Sequence, residues 1–251
     1  MVKPRKPEDA RYVKALVHSP AGHGKTRLLG TAQEDPRTFP MAFLNFEGGE
    51  QTLSGLDIDV FDIRDSADYE DVYKQLRRSD TPYKSVGVDS ITETQVSMLL
   101  EILGHDKVNR ADPDQLAQQD WGIILVRMRR IVRQYVKMLP MHVFMTALTG
   151  ETVVPRVGSV KIPQVQGAFK DELPGVLDVV AYLGLEENED GETERVLLLH
   201  SNPRFGVKAR TPWTGVDVPA EIVDPTVTKL LDALGFAPPK GSKTIQALAA
   251  K

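Results

Sequence analysis

The chain reads as an α/β protein, a mainly parallel sheet flanked by helices with an antiparallel β extension near the C-terminus. Three observations predict this. It opens with a strand, a loop and a helix in succession, the strand from Tyr12 to His18 and the helical pattern beginning at Lys25. Short runs of β-formers then alternate with helical patterns as far as Leu148, the sequence layout of parallel strands joined by crossover helices. Beyond Leu148 the texture changes to β-branched and polar alternation punctuated by Pro155, Gly158 and Pro163, which is a pattern of ribbons and hairpins.

Taken in order, Tyr12 to His18 (YVKALVH) is the first strand, Ser19 to Gly24 supply loop residues, and Lys25 begins a helical pattern. Strands follow at Met41 to Phe46 and Val60 to Ile63. Ser66 can cap a helix to about Arg78, with Asp68, Glu70 and Asp71 in its first turns, where negative charge suits the helix dipole. Ser85 to Asp89 (SVGVD) is a short buried strand. A helix from about Glu93 to Leu103 is expected, with Val96, Leu99, Leu100 and Leu103 sharing an apolar face. Gly104 to Gln118 is polar and turn-rich, hence a loop.

The next helix, about Asp120 to Leu139, carries Ile124, Met128, Ile131, Tyr135 and Leu139 on one stripe and stops at Pro140. His142 to Leu148 is another strand, and Thr149 to Gly167 a β-ribbon or mobile loop. Val179 to Leu183 and Arg195 to His200 flank the acidic turn EENEDGE as a hairpin, and Thr226 to Leu234 is a last short helix. The expected organisation is one domain over residues 1–236 and a basic tail without fixed structure over 237–251.

Composition narrows the chemistry. The 251 residues include 31 basic and 35 acidic side chains, a net charge of −4, so a uniformly basic, histone-like protein is excluded. Absence of cysteine removes disulfide frameworks, Cys-based zinc ribbons, iron–sulfur clusters and thiol nucleophiles, and makes a reducing cytoplasm the expected location. No apolar run approaches the ~20 residues that span a bilayer, so no membrane partner is expected. His18, His105, His142 and His200 show no metal-ligand spacing.

Ser19-Pro20-Ala21-Gly22-His23-Gly24-Lys25-Thr26 matches the phosphate-loop pattern, with Ser19 where glycine is usual. Small residues let backbone N–H groups turn toward a phosphate, Lys25 supplies a cation for the β- and γ-phosphates, and Thr26 a hydroxyl ligand for magnesium. Gly22-x-Gly24 is no dinucleotide fingerprint, because Arg27 holds the third glycine's position. Asp89 ends an apolar strand, where a magnesium-ordering carboxylate belongs; its alternative is to cap the following helix with Ser90, and Lys25 and Thr26 upstream favour the metal. Glu47, just past a strand and before Gly48 and Gly49, could orient or deprotonate the attacking water, against the plain reading of a surface turn.

On SPAGHGKT, the strand-end Glu47 and the VDS at Asp89 and Ser90, the chain resembles RecA-like P-loop ATPases. More closely it resembles the phage ATPases of the Sak single-strand annealing group, through Asp120-Trp121-Gly122, Leu173-Pro174-Gly175 with Asp178, and Asn202 to Arg210. The resemblance, over about residues 12 to 235, implies a RecA-like core. It implies ATP and Mg2+ as cofactors, held by Ser19 to Thr26 with Arg27, and by Thr26 and Asp89 for the metal. Thr146 would be a polar sensor, and Lys208 and Arg210 a basic pair inserted into a neighbour's site. The partners it implies are further copies of the chain in a ring or filament, single-stranded DNA, and a phage single-strand-binding protein, in a bacterial host's cytoplasm.

DNA contacts are expected from two loops, Gly104 to Gln118 with Lys107 and Arg110, and Thr149 to Gly167 with Arg156, Lys161, Gln164 and Gln166. A hexameric helicase-type motor on the same core, and an ATP-binding switch with little hydrolysis, stay open as alternatives.

Overall fold

A computed structural model describes residues 12–105, 116–200, 202–213 and 215–236. Residues 106–115 of the expected DNA loop, with Lys107 and Arg110, and the whole 237–251 tail lie outside the described residues.

Among the described residues, strands β1 (Lys14–Ser19), β2 (Met41–Asn45), β3 (Asp59–Asp62), β4 (Ser85–Asp89), β5 (His142–Val154), β7 (Val179–Glu187), β8 (Thr193–Leu198) and β10 (Glu221–Val223) run side by side in the order β10-β8-β7-β1-β5-β4-β2-β3. Two more strands attach to them, β6 (Gly158–Pro163) on β5 and β9 (Lys208–Ala209) on β7. Pairing is parallel from β7 through β1, β5, β4 and β2 to β3. It is antiparallel at β7–β8, β8–β10, β5–β6 and β7–β9. The expected mixed architecture is therefore present, with its antiparallel part toward the C-terminus.

Strand side chains alternate between the two faces. Leu16, Val86, Val88, Met145 and Val180 pack with α2 (Ser66–Leu76), α3 (Ile91–His105), α4 (Gln118–Arg133) and α5 (Phe169–Val176). Val17, Phe43, Phe144, Ala181 and Leu197 pack on the other face with α1 (Lys25–Gly30) and α6 (Val227–Ala233). No helix among the described residues is long and apolar enough to cross a membrane.

Three local expectations are corrected. Asp65, not Ser66, caps α2, accepting from the N–H of Ala67 at 2.9 Å and of Asp68 at 3.0 Å, while Ser66 donates to Glu101. The α3 stripe is rotated. Ile91, Met98 and Ile102 are buried and Leu100 is 62% exposed, because Gln95 and Thr92 turn inward to bond the segment after β6. The long fourth helix ends at Arg133 and continues as a π-turn, Gln134–Met138, which sets the Tyr135 ring tilted against Tyr69 at 4.6 Å and Tyr73 at 5.6 Å. Helix α5 has no counterpart among the expected elements; burial of Phe169 and Leu173, one turn apart, offsets the cost of Pro174 within it.

The fold also buries two imidazoles. Val13 N–H donates to His142 Nδ1 at 3.2 Å, and His18 Nδ1 meets Thr149 Oγ1 at 3.0 Å. Burial, then the charges of Lys25 and Lys161, pulls His18 down to about 3; burial, then Lys14 and Arg37, pulls His142 down to about 4. Both titrate lower folded than unfolded, so their contribution is whole above the ordinary value of 6.5 and is lost as pH falls from there, toward about 4 for His142 and about 3 for His18. Each should cost about 1 kcal/mol of unfolding free energy over the first pH unit below that value. Urea unfolding at neutral and mildly acid pH checks this: His142→Asn should halve the loss, and an unchanged pH slope would refute it.

Candidate functional site

Strand β1 delivers the phosphate loop to the C-terminal edge of the parallel strands. Ser19 is fully buried and outside the positive-φ region, so no glycine is required there. Gly22 (φ 80°) and Gly24 (φ 90°) supply the left-handed dihedrals that turn the chain into α1. Lys25, 7% exposed, folds its ammonium back on the loop, donating to Ser19 O at 3.2 Å, Ser19 Oγ at 3.3 Å and Pro20 O at 3.1 Å. Burial pushes this ammonium below the usual lysine range, and the charges of Asp89 and Glu47 oppose the shift.

Asp89 ends β4, two strands from β1 with β5 between them, and is 2% exposed. Thr26 Oγ1 donates to its Oδ2 at 2.6 Å, and Thr146 Oγ1, from β5, donates to its Oδ1. The two threonines therefore hold one carboxylate between them. The capping alternative falls to Ser90, whose Oγ accepts from Glu93 N–H at 3.3 Å and donates to Glu47 Oε1.

Glu47 follows β2 in a loop tied by Asn45, whose Nδ2 donates to Glu50 and to Asp62, each at 2.9 Å, and whose Oδ1 accepts Gly48 N–H at 3.0 Å. A Cβ added to Gly49 would lie 3.8 Å from Thr26 Oγ1, which shows how near this loop comes to the phosphate loop. Burial raises the Glu47 carboxyl above the usual range; the Ser90 hydroxyl counters it and the neighbouring Asp89 charge adds to it. The structure thus gathers Lys25, Thr26, Asp89, Thr146 and Glu47 in one place.

The remaining expected residues lie variously. His23 Nδ1 sits 3.3 Å from Leu183 O, and Ala21, Gly22 and Arg27 are exposed on the loop and the first turn of α1. Lys208 and Arg210 are not at the loop of their own chain. Lys208 is opposite Val180, which pairs with Leu16, three residues short of Ser19, or ~10 Å along the strands. It also lies on the face away from α1, where its Nζ donates to Leu177 O at 2.7 Å. Arg210 is exposed, its N–H donating to Asp178 O at 3.0 Å.

The expected second DNA loop is a ribbon, β5 pairing with β6 from Thr149 to Val154. It projects past the edge that carries the phosphate loop, since Leu148 is level with Ser19. Arg156 is exposed at its turn, with φ 69°. Lys161 is not free for phosphate, its Nζ lying 5.2 Å from the Tyr182 ring centroid and 5.3 Å from that of Phe205. Gln166 is held by Gln95, and Gln164 gives its backbone carbonyl to Thr92.

Two contributions lie beyond the sequence reading: Ser90, part of VDS and a cap candidate there, is also the hydrogen-bond donor to Glu47, and Arg195 of β8, which lies against Gly24, belongs to no motif.

Thr26 and Asp89 offer a hydroxyl and a carboxylate, the hard oxygen donors that magnesium takes alongside phosphate oxygens. Among the described residues no three His, Cys, Asp or Glu side chains converge as a protein-only metal cage. The donor set therefore fits a magnesium held jointly by protein and phosphate.

A family model described as an AAA domain matches residues 11–211. A comparison with curated proteins returns no match. Among solved structures, the chain is similar to the RadB recombinase crystal structure at TM-score 0.43 and 16% identity, over 78% of this chain and 90% of that one. It is also similar to a prototypical ATPase from the type III secretion system of pathogenic bacteria, at TM-score 0.41 and 14% identity, over 69% of this chain and 52% of that one. The chain thus spans about half the length of the second.

Proposed function

The chain belongs to that AAA domain family, and from this premise we propose that it is a magnesium-dependent ATPase that assembles with copies of itself and acts on single-stranded DNA. One observation carries the nucleotide part: the 2.6 Å hydrogen bond from Thr26 Oγ1 to the buried Asp89, with Lys25 on the same loop. A phosphate-loop hydroxyl bonded to a strand-end carboxylate is the pair that orders magnesium beside a triphosphate. Bound there, the ion would neutralise charge on the β- and γ-oxygens.

Each residue then has a task. Lys25 exchanges the oxygens of Ser19 and Pro20 for phosphate oxygens. Thr146 fixes the orientation of Asp89. Glu47, hydrogen-bonded to Ser90, orients the attacking water and accepts its proton, and its raised titration range brings its basicity closer to neutrality. Lys208 and Arg210 lie away from their own loop, which supports a role in a neighbouring copy, where cations from outside would stabilise charge developing on the phosphate.

The DNA part rests on the resemblance to phage annealing ATPases and on the ribbon, which offers an exposed arginine at the same sheet edge. In the helicase-type alternative the same core would move along a strand.

ATP turnover measured against protein concentration, with and without single-stranded DNA, tests the proposal. The wild-type specific rate should climb with concentration and with DNA, and Lys208→Ala/Arg210→Ala should flatten the climb while leaving nucleotide binding intact. Glu47→Gln should lower the rate about 100-fold without weakening ATP binding. Tight binding with no turnover in the wild type would reassign the chain as a nucleotide-dependent switch.

A further inference from the structure

Arg195 pairs with Leu185 of β7. Tyr182 is level with His18 of β1, so Leu185 stands two residues beyond the level of Ser19, at the height of the phosphate loop. Leu183 and Leu197 belong to the core cluster that contains Leu28 and Leu29 of α1. Alternation along β7 and β8 therefore puts Arg195 on the same face as α1. Its side chain reaches the loop: a Cβ added to Gly24 would lie 3.3 Å from Arg195 Nη1 and 3.6 Å from its Cδ.

What that guanidinium does in the chain itself is little. Its backbone carbonyl accepts from Asp224 N–H at 2.8 Å, but among the described residues its side chain has no hydrogen bond and no ion pair. Five N–H donors on a permanent cation, half-buried and unspent beside a loop built for phosphate, are a costly arrangement for packing alone. They are what a phosphate chain uses, since guanidinium and phosphate oxygens pair in two parallel hydrogen bonds.

We propose that Arg195 is a nucleotide-binding residue of the same subunit, pairing its guanidinium with the phosphate chain of a nucleoside di- or triphosphate from the β8 side of the loop. This rests on the nucleotide reading given above. It makes the loop a site with two walls, α1 with Lys25 on one side and the β7–β8 hairpin on the other. It also gives Gly24 a second reason to lack a side chain, because a Cβ there would crowd Nη1.

The test is calorimetric titration of ADP and of adenosine into the full chain and into Arg195→Met, Arg195→Lys and Lys25→Ala, with melting temperatures measured without nucleotide. Methionine keeps the apolar stem and removes the charge. Arg195→Met should weaken ADP at least about tenfold, Arg195→Lys should recover part of that, and adenosine binding and the nucleotide-free melting temperature should not move. ADP binding by Arg195→Met at wild-type strength, with Lys25→Ala impaired, would overturn this proposal and leave the nucleotide site standing. An equal loss for adenosine would assign Arg195 to the base and overturn it too. A melting temperature that drops equally in both Arg195 variants would mean a packing role. A wild-type chain that binds no ADP would overturn both readings.

Discussion

Replacing Lys25 by alanine is expected to lower ATP turnover by about 1000-fold and to weaken ATP binding strongly, with little change in the stability of the fold. The size follows from removing a fixed cation at the phosphate-binding loop, in the range found when a preorganised charge-stabilising group is deleted. Stability should hold because the ammonium is an uphill guest: it is 7% exposed, and burial outweighs the favourable charges of Asp89 and Glu47. Its three bonds go to two oxygens of the buried Ser19 and to Pro20 O, and the substitution removes the buried charge together with them. A Lys25→Ala protein that melts normally and hydrolyses ATP at the wild-type rate would exclude this loop as the nucleotide site.

The second large effect is expected at Asp89. Asp89→Asn should lower magnesium-dependent turnover by about 100-fold or more and flatten the dependence of ATP affinity on magnesium, because an amide is a poor magnesium ligand. It should also cost stability, unlike the lysine variant. Thr26 and Thr146 both donate to this buried carboxylate, and an amide can accept from one of them while facing the other with its NH2 group. Hydrogen bonds to charged groups contribute about 1.5–3 kcal/mol each. A magnesium titration of ATP affinity, paired with urea unfolding, reads both effects; unchanged magnesium dependence would mean that Asp89 only braces the two threonines.

The parts of the site that were legible in the sequence are those whose chemistry is contiguous. SPAGHGKT carries its small residues, its cation and its hydroxyl within eight positions, and Asp89 is conspicuous because an acid closes an apolar run. Most strands were legible for the same reason, being short apolar segments between turn residues. What stayed hidden depends on distant partners. The face of α3 was misassigned because Gln95 and Thr92, polar in sequence, are satisfied by a segment some 70 residues away. Helix α5 contains Pro174, whose cost is offset by packing that periodicity does not register. Arg195 gave no signal because its closeness to Gly24 exists only once β7 and β8 pair, and no local pattern encodes that. Lys208 and Arg210 drew notice through family resemblance alone, and their own chain leaves them away from the loop.

Isothermal titration of ATP into the wild-type chain, with magnesium present and then chelated, tests the central claim most directly. One site per chain, competed by ADP, tightened by magnesium and absent in Lys25→Ala, is the predicted result. No saturable heat with ATP, or binding indifferent to both magnesium and Lys25, would contradict it.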